Sequence, residues 1–123
     1  MEHQHANKET VQRFLDDFHL KTKIFEIVFR DDRGKNLNSL LKLEYSAIKR
    51  KEIIATLCTE DYSEGPKPEK LYNMADMWIF GKTIRKQEIY IKISMGYPGS
   101  STICISFHVA ERSMNYPFKT TKK

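Results

Sequence analysis

Two segments near the C-terminus of the chain carry residues that could perform acid–base chemistry. The runs 88–94 and 102–110 alternate between apolar and polar residues, which is the pattern of half-buried β-strands. Because successive side chains of a strand point to opposite faces, Tyr90 and Lys92 share one face, and His108 of the second run can join them. A phenol, an ammonium and an imidazole on one surface could transfer protons and stabilise a negative charge.

The loop between the two runs indicates how they pair. It is rich in Gly, Pro and Ser, and a turn centred near Gly99 places Tyr90 opposite His108. The same register places Lys92 opposite Ser106. We therefore expect an antiparallel hairpin whose apolar face lies in the core. The residues of that apolar face are Ile89, Ile91, Ile93, Met95, Ile103, Ile105, Phe107 and Val109.

Another strand is predicted at positions 77–82, just before the hairpin. A tight turn at 84–86 would place Lys82 beside Glu88 and bring Trp78 onto the same open face as the polar residues of the hairpin. An ammonium from this strand could then act together with the groups of the hairpin.

The composition suits one domain with an anionic partner. A chain of 123 residues, 40% of them apolar, can build a modest core, and we expect a single domain over residues 1–123 with frayed ends at 1–6 and 119–123. The net charge is +5, and residues 82–123 hold eight basic but only two acidic side chains. Such a basic surface beside a sheet suits a polyanion such as RNA or DNA, although it could also serve only for solubility. The candidate RNA contacts are Lys82, Arg85, Lys86, Lys92 and Trp78.

The cysteines and the apolar runs point to the cytoplasm. Cys58 and Cys104 are too few for a disulfide framework, and Cys104 is expected on the open sheet face, so we interpret both as free thiols of a reducing compartment. No apolar run is long enough for a membrane span or a signal peptide. We therefore predict a cytoplasmic protein without a membrane partner.

Hydrophobic spacing predicts the N-terminal elements. Apolar residues recur at i, i+3, i+4 and i+7 after the candidate caps Asn7 and Thr10, which predicts an amphipathic helix. The residues of this stripe are Val11, Phe14, Leu15 and Phe18. A strand is predicted at 23–29 because that segment is rich in strand-forming residues.

Two further helices and a loop are predicted before the three C-terminal strands. A short helix is expected around 37–44, and a second helix should run from the N-cap Ser46 to about Cys58, with Lys49–Lys51 exposed. The segment 60–66, followed by Pro68, is predicted to be a loop because its Gly and Pro residues oppose regular structure.

The order of these elements resembles the RelE-type fold of bacterial type II toxins. Trp78, then the run Glu88–Ile93, then Ile105–His108 resemble the C-terminal half of the motility quorum-sensing regulator toxin family, which reads Trp, Val-Tyr-Leu-Lys-Ile and Val-Ser-Phe-Lys. The resemblance covers about residues 49–108, with Leu57 and Asp61 at its start. It implies an α+β, RelE-like fold in which helices pack against an antiparallel sheet formed by the N-terminal strand and a C-terminal three-stranded meander.

The resemblance also implies a function. Toxins of this family are ribonucleases that cut messenger RNA and are neutralised by an antitoxin encoded beside them. Tyr90 matches the functional tyrosine of the family, whereas His108 stands where the family has a catalytic lysine. A family lysine falls at about Glu64 and a family glutamine at Ile79.

We therefore expect a metal-independent endoribonuclease in which the RNA 2′-hydroxyl attacks the neighbouring phosphorus. His108 is the candidate acid or base, and Tyr90 a proton donor or phosphate ligand. Lys82 and Lys92 are the candidate electrostatic stabilisers. Glu64 or Glu88 could serve as the second acid or base, and the sequence does not decide which group takes which role.

No cofactor is expected, because the carboxylates do not stand at ligand spacing with His or Cys. The expected partners are mRNA and a cognate antitoxin, and dependence on the ribosome stays open.

Two other classes of protein fit the same residues. A non-catalytic RNA-binding or antitoxin-interaction module could use Tyr90, Trp78 and Phe80 as a stacking platform or interface on the open face. A plain structural subunit would show no salt-dependent affinity for RNA.

Overall fold

In the described part of the chain, the protein is an α+β fold in which two helices cover one face of a five-stranded sheet. The computed structural model describes residues 6–30 and 45–119, and the helix expected around 37–44 lies outside these residues. The sheet order is β1-β5-β4-β3-β2. The elements are α1 (Lys8–Phe25), β1 (Ile27–Phe29), α2 (Ala47–Ala55), a 3₁₀ turn (Thr59–Asp61), β2 (Tyr62–Lys67), β3 (Met77–Ile84), β4 (Gln87–Ser94) and β5 (Thr102–Val109).

The sheet is mostly antiparallel. β2, β3, β4 and β5 pair antiparallel in turn, whereas β1 pairs parallel to β5. The arrangement thus differs from the expected one in two respects, since the N-terminal strand is parallel and β2 adds an edge strand. Neither described helix is both long and apolar enough to cross a membrane.

Helix α1 supplies much of the core, as its spacing predicts. Its apolar stripe of Val11, Phe14, Leu15 and Phe18 is buried. Asn7 is the cap, because its side chain accepts a hydrogen bond from the Thr10 amide at 2.8 Å. The helix runs on to Phe25, so the predicted strand at 23–29 is wrong in its first part. Residues Lys23–Phe25 continue the helix instead, because intrinsic strand propensity is weak and gives way to tertiary context.

Helix α2 begins as predicted but ends earlier. The Ser46 hydroxyl accepts a hydrogen bond from the Lys49 amide at 3.2 Å, and the helix ends at Ala55 rather than near Cys58. Arg50 was expected to be exposed and is only 5% exposed. Its guanidinium lies 4.2 Å from the ring centroid of Phe29, which keeps the charge against an aromatic face.

Strand β2 lies where the sequence predicts a loop. Tyr62–Lys67 pairs with β3 through two irregularities in register. Pro66 is tolerated because β2 is at the edge of the sheet, where a missing amide donor removes no obligatory ladder bond. The segment therefore contributes Ser63 and Glu64 to the sheet surface.

The predicted register between β3 and β4 is wrong by one residue. The turn consists of Arg85 and Lys86, with φ angles of 54° and 66°, and Lys82 pairs with Ile89 rather than with Glu88. A shift of one residue exchanges the two faces of a strand. Lys82, Trp78 and Phe80 therefore lie on the helix-covered side, and neither aromatic ring reaches the open face.

Burial confirms this exchange of faces. Trp78 is 9% and Phe80 0% exposed, and the Trp78 ring stacks on Phe14 with centroids 4.3 Å apart. The aromatic platform that Trp78 and Phe80 were expected to form on the open face is absent.

The predicted register between β4 and β5 is confirmed for its functional residues. Tyr90 pairs with His108 and Lys92 with Ser106. A bulge then shifts the register, so that Ile93 pairs with Cys104. Because of this shift Cys104 points into the core, where it is fully buried, and its predicted position on the open face is wrong. Both cysteines are free thiols.

Candidate active-site cleft

A cleft of about 460 Å³ lies on the open face of the sheet, opposite the helices. Strands β4 and β5 form its floor, β2 contributes Ser63 and Glu64, and residues 111–115 form a wall. The ionisable and phenolic groups that line it are Glu64, Tyr90, Lys92, His108, Glu111 and Arg112. Four of the residues selected from the sequence, namely Glu64, Tyr90, Lys92 and His108, therefore meet in one place.

The imidazole of His108 has a defined orientation. Its Nδ1 lies 2.9 Å from the backbone oxygen of Val109. Because a carbonyl oxygen can only accept a hydrogen bond, Nδ1 carries a proton and donates a hydrogen bond to the Val109 oxygen. The neutral ring is then protonated at Nδ1, and Nε2 is the atom that can accept a proton. The residue is only 6% exposed, so the ring is held by its surroundings rather than by solvent.

Tyr90 lies flat against this imidazole. The two ring centroids are 4.9 Å apart and the planes differ by 11°. This contact follows from the cross-strand pairing of Tyr90 with His108, because directly opposed residues share one side of the sheet. The stack fixes the plane of the imidazole and places a phenol beside it.

Two cationic residues line the cleft. The Lys92 ammonium lies 6.0 Å from the centroid of Tyr90, and Arg112 lines the cleft from the segment that follows β5. A phosphate in the cleft would thus be bordered by an ammonium and a guanidinium, which are the groups that proteins use to bind it.

Two carboxylates also line the cleft. Glu64 on β2 forms an ion pair with Lys67 at 2.5 Å, and their side chains are 39% and 35% exposed. Glu111 precedes Arg112 in the wall. The described part of the cleft therefore holds groups that can accept a proton as well as groups that can stabilise an anion.

Glu88 was expected to be a second acid or base and has a different environment. Its Oε1 accepts a hydrogen bond from the Met114 amide at 3.1 Å, and its Oε2 accepts one from the Tyr116 hydroxyl at 2.6 Å. Burial, together with this carboxylate, raises the pKa of Tyr116 well above its ordinary value. Glu88 thus holds the C-terminal segment instead of lining the cleft.

Lys82 and Trp78 lie outside the cleft. The Lys82 ammonium forms an ion pair with Asp61 at 2.9 Å, on the face of the sheet that the helices cover. Trp78 is buried beneath Phe14. The prediction that both would share the open face with His108 is wrong, because it depended on the incorrect register.

Arg85 and Lys86 also lie away from the cleft, in the β3–β4 turn. The Arg85 guanidinium lies 5.4 Å from the centroid of Tyr45, and Lys86 is exposed. Neither residue lines the cleft.

Sequence reasoning missed Glu111 and Arg112. They follow directly after β5, and residues at the end of a strand often line sites. The only signal in the sequence was the excess of basic residues after position 82, which does not select Arg112 from the others.

Among residues 6–30 and 45–119, no three His, Cys, Asp or Glu side chains cluster closely enough to hold a metal ion. No family model, curated protein or solved structure matches the chain.

Proposed function

We propose that the cleft is the active site of an endoribonuclease that cleaves RNA by attack of the 2′-hydroxyl on the adjacent phosphorus. The observation that carries this proposal is the grouping of His108, Tyr90, Lys92 and Arg112 in one cleft that also holds carboxylates. This reaction needs a base, an acid and positive charge around the phosphorane, and the cleft contains a candidate for each.

The proposed reaction proceeds in one in-line step. A carboxylate, Glu64 or Glu111, removes the proton of the 2′-hydroxyl while the 2′-oxygen bonds to phosphorus. The bond from phosphorus to the 5′-oxygen breaks, and that oxygen takes a proton from Nε2 of protonated His108. The products are a 2′,3′-cyclic phosphate and a free 5′-hydroxyl, and exchange with water restores both proton carriers.

The remaining groups stabilise the charge. Lys92 and Arg112 would contact the non-bridging phosphate oxygens, where negative charge increases in the transition state. Tyr90 would keep the imidazole plane fixed through its stacking contact and would offer its hydroxyl to the phosphate. A fixed orientation of the acid contributes to the rate because no reorganisation is then needed at the moment of proton transfer.

We further propose that the protein is a toxin of a type II toxin–antitoxin system with a RelE-like fold. The resemblance of Trp78, Glu88–Ile93 and Ile105–His108 to the motility quorum-sensing regulator toxins supports this proposal. The substrate would be mRNA in the cytoplasm, and a cognate antitoxin would neutralise the activity.

Burial argues against the rival RNA-binding module. Such a module would use exposed aromatic rings for stacking, yet Trp78 and Phe80 lie in the core. Binding by the protein without cleavage would nevertheless favour this rival.

The proposal is tested with purified protein and matched RNA and DNA oligonucleotides of one sequence, in the presence of EDTA. We expect cleavage of the single-stranded RNA, with cyclic phosphate ends, and no cleavage of the DNA, which lacks the nucleophile. Loss of cleavage on chelation with recovery on addition of magnesium would contradict the mechanism. Cleavage that occurs only on translating ribosomes would restrict the substrate to ribosome-bound mRNA.

The toxin proposal is tested by induced expression in bacteria. We expect growth arrest by the wild-type chain and normal growth with His108→Gln expressed to the same level. A neighbouring gene whose product binds the chain should restore growth. Normal growth on expression of the folded, active wild-type enzyme would contradict the assignment as a toxin while leaving the nuclease proposal intact.

A further inference from the structure

The segment Glu111–Phe118, here called the C-terminal strap, is fastened to the sheet largely by one residue. The Ala110 amide donates to the backbone oxygen of Glu88 at 2.8 Å. The Met114 amide and the Tyr116 hydroxyl donate to the two carboxylate oxygens of the same residue, at 3.1 and 2.6 Å. Glu88 therefore receives three hydrogen bonds from a stretch of seven residues, 110–116.

Gly81 provides the seat for the strap. A Cβ at this position would collide with the Tyr116 hydroxyl and would lie 2.8 Å from the sulfur of Met114. Gly81 pairs with Tyr90 across the sheet, so the seat lies directly beside the cleft. The absence of a side chain lets the phenol of Tyr116 reach Glu88 over the backbone of β3.

The strap is also fixed at its far end. The ring of Phe118 stacks on Tyr62 with centroids 5.4 Å apart and an angle of 19° between the planes. Tyr62 is fully buried in the core, so this contact joins the end of the strap to the rigid part of the molecule.

These anchors limit where Arg112 can go. Only residues 111–113 lie between the anchored amides of Ala110 and Met114, and Glu111, Arg112 and Ser113 all line the cleft. A long exposed arginine side chain loses entropy when it binds a phosphate. Holding its backbone on both sides reduces that cost and keeps the guanidinium on the cleft side of the strap.

We infer that Tyr116 and Glu88 are positioning residues, which hold the C-terminal strap so that Arg112 faces the scissile phosphate of the RNA. The inference rests on the proposed nuclease function for the identity of the ligand. Tyr116 and Glu88 act through Arg112, and neither of these two residues contacts the substrate itself. Gly81 only leaves the space in which Tyr116 packs.

The clamp is tested first without RNA, by limited trypsin digestion at the bond after Arg112. Tyr116→Phe removes only the hydroxyl that bonds to Glu88, and a hydrogen bond to a charged group corresponds to roughly a tenfold change in an opening equilibrium. We expect digestion at this bond to accelerate about tenfold. Gly81→Ala should give the same result, because it displaces the ring from its seat.

Tyr97→Phe is the matched control, since its hydroxyl donates to the Tyr72 backbone oxygen at 2.6 Å in another part of the molecule. Digestion after Arg112 should not change in this variant. Equal digestion rates for wild type and Tyr116→Phe would show that the hydrogen bond to Glu88 does not hold the strap, and the inference would be wrong.

The role toward RNA is tested by a double-mutant cycle. The probe is an RNA oligonucleotide whose reactive 2′-hydroxyls are methylated, so that affinity is measured without cleavage. Tyr116→Phe should weaken affinity by about threefold to tenfold in the wild-type background and should have no further effect in Arg112→Ala. Additive effects of the two substitutions would show that Tyr116 does not act through Arg112.

Failure of the proposed function gives a different pattern. A wild-type protein that neither binds nor cleaves RNA would overturn the nuclease proposal and the ligand named for Arg112. The digestion experiment would still show whether Tyr116 and Glu88 hold the strap.

Discussion

The orientation of the His108 ring follows from its place in β5. A strand residue can turn one ring nitrogen back to its own backbone, and here Nδ1 donates to the oxygen of Val109. In the proposed reaction Nε2 is therefore the nitrogen that would transfer the proton, in a cleft that also contains Lys92 and Arg112. Tyr90 holds the ring plane by stacking, so that orientation and protonation site are both set by neighbours.

Replacement of His108 should remove the proposed acid–base catalyst without disturbing the fold. We expect His108→Gln to lower the single-turnover cleavage rate by about 10²–10⁴-fold while the affinity for RNA changes little. His19→Gln is the control, because His19 bonds to the Leu57 backbone oxygen at 3.0 Å and does not line the cleft. A folded His108→Gln protein that cleaves at the wild-type rate would exclude the residue from the mechanism.

Lys92 and Lys82 form a natural pair for comparison, because they lie on opposite faces of the sheet. We expect Lys92→Ala to weaken RNA binding and to flatten its log–log salt dependence by about 0.7 units, the value for one phosphate contact with a single strand. Lys82→Ala should leave that slope unchanged, since Lys82 pairs with Asp61. The measurement is affinity at several salt concentrations. A flatter salt dependence for Lys82→Ala, with no change for Lys92→Ala, would instead place the RNA site on the helix-covered side of β3.

At the scale of elements, the β3–β4 turn decides which side chains reach the cleft. Its two residues have positive φ angles, a geometry that matches the twist of a two-residue hairpin and favours Asn and Gly. For Arg85 and Lys86 this backbone conformation is less favourable than it would be for Asn or Gly, so it lowers the free energy of unfolding. The turn nevertheless sets the register in which Gly81 faces Tyr90, and that pairing is what opens the seat for the C-terminal strap.

Substitutions of Lys86 should separate the effect of the turn conformation on stability from any effect of the Lys86 charge on RNA binding. Lys86→Gly should raise the free energy of unfolding by about 0.5–1 kcal/mol because glycine tolerates positive φ, whereas Lys86→Val should lower it by about 1 kcal/mol or more. Both variants lose the same charge, so we expect equal RNA affinities for the two proteins, close to that of wild type. Urea unfolding and a binding titration measure these effects. A loss of affinity shared by both variants would restore Lys86 as an RNA contact.

At the scale of the whole molecule, the two faces of the sheet have separate tasks. Helix α1 and α2 cover one face with the main core, which includes Phe18, Trp78 and Phe80. The other face carries the cleft and the C-terminal strap. Core residues such as Phe18 can thus be altered without changing a residue that lines the cleft.

The strap should make the stability of the molecule depend on pH in the alkaline range. The pKa of Tyr116 is raised in the folded state, so the folded protein retains this proton more strongly than the unfolded chain does. The contribution of this raised pKa to the free energy of unfolding is fully present below about pH 10, the ordinary pKa of tyrosine. It is lost as the pH rises from there toward the folded pKa.

Urea unfolding of wild type and Tyr116→Phe between pH 7 and 11 measures this dependence. The difference in stability between the two proteins should be constant up to about pH 10 and should shrink above it. A difference that grows with pH would mean that the phenolate, rather than the phenol, is the form that the fold favours.

Much of the site could be predicted from the sequence, because it depends on local periodicity. The spacing of apolar residues assigns the buried face of α1. The alternation within β4 and β5, together with the turn that joins them, assigns Tyr90 and His108 to one face and pairs them. The cleft therefore contains Tyr90, Lys92 and His108 as predicted.

Only the tertiary structure decided which face of β3 is buried. The first four residues of β3, Met77–Phe80, are all apolar and fit either register. The choice therefore depends on packing against α1, where Trp78 stacks on Phe14. Strand β2 likewise forms because β3 offers it an edge, despite its Gly and Pro. The clamp of Glu88 on Met114 and Tyr116 joins residues 26 and 28 positions apart, and no local pattern records contacts at such separations, because they arise only when the chain has folded back over the sheet.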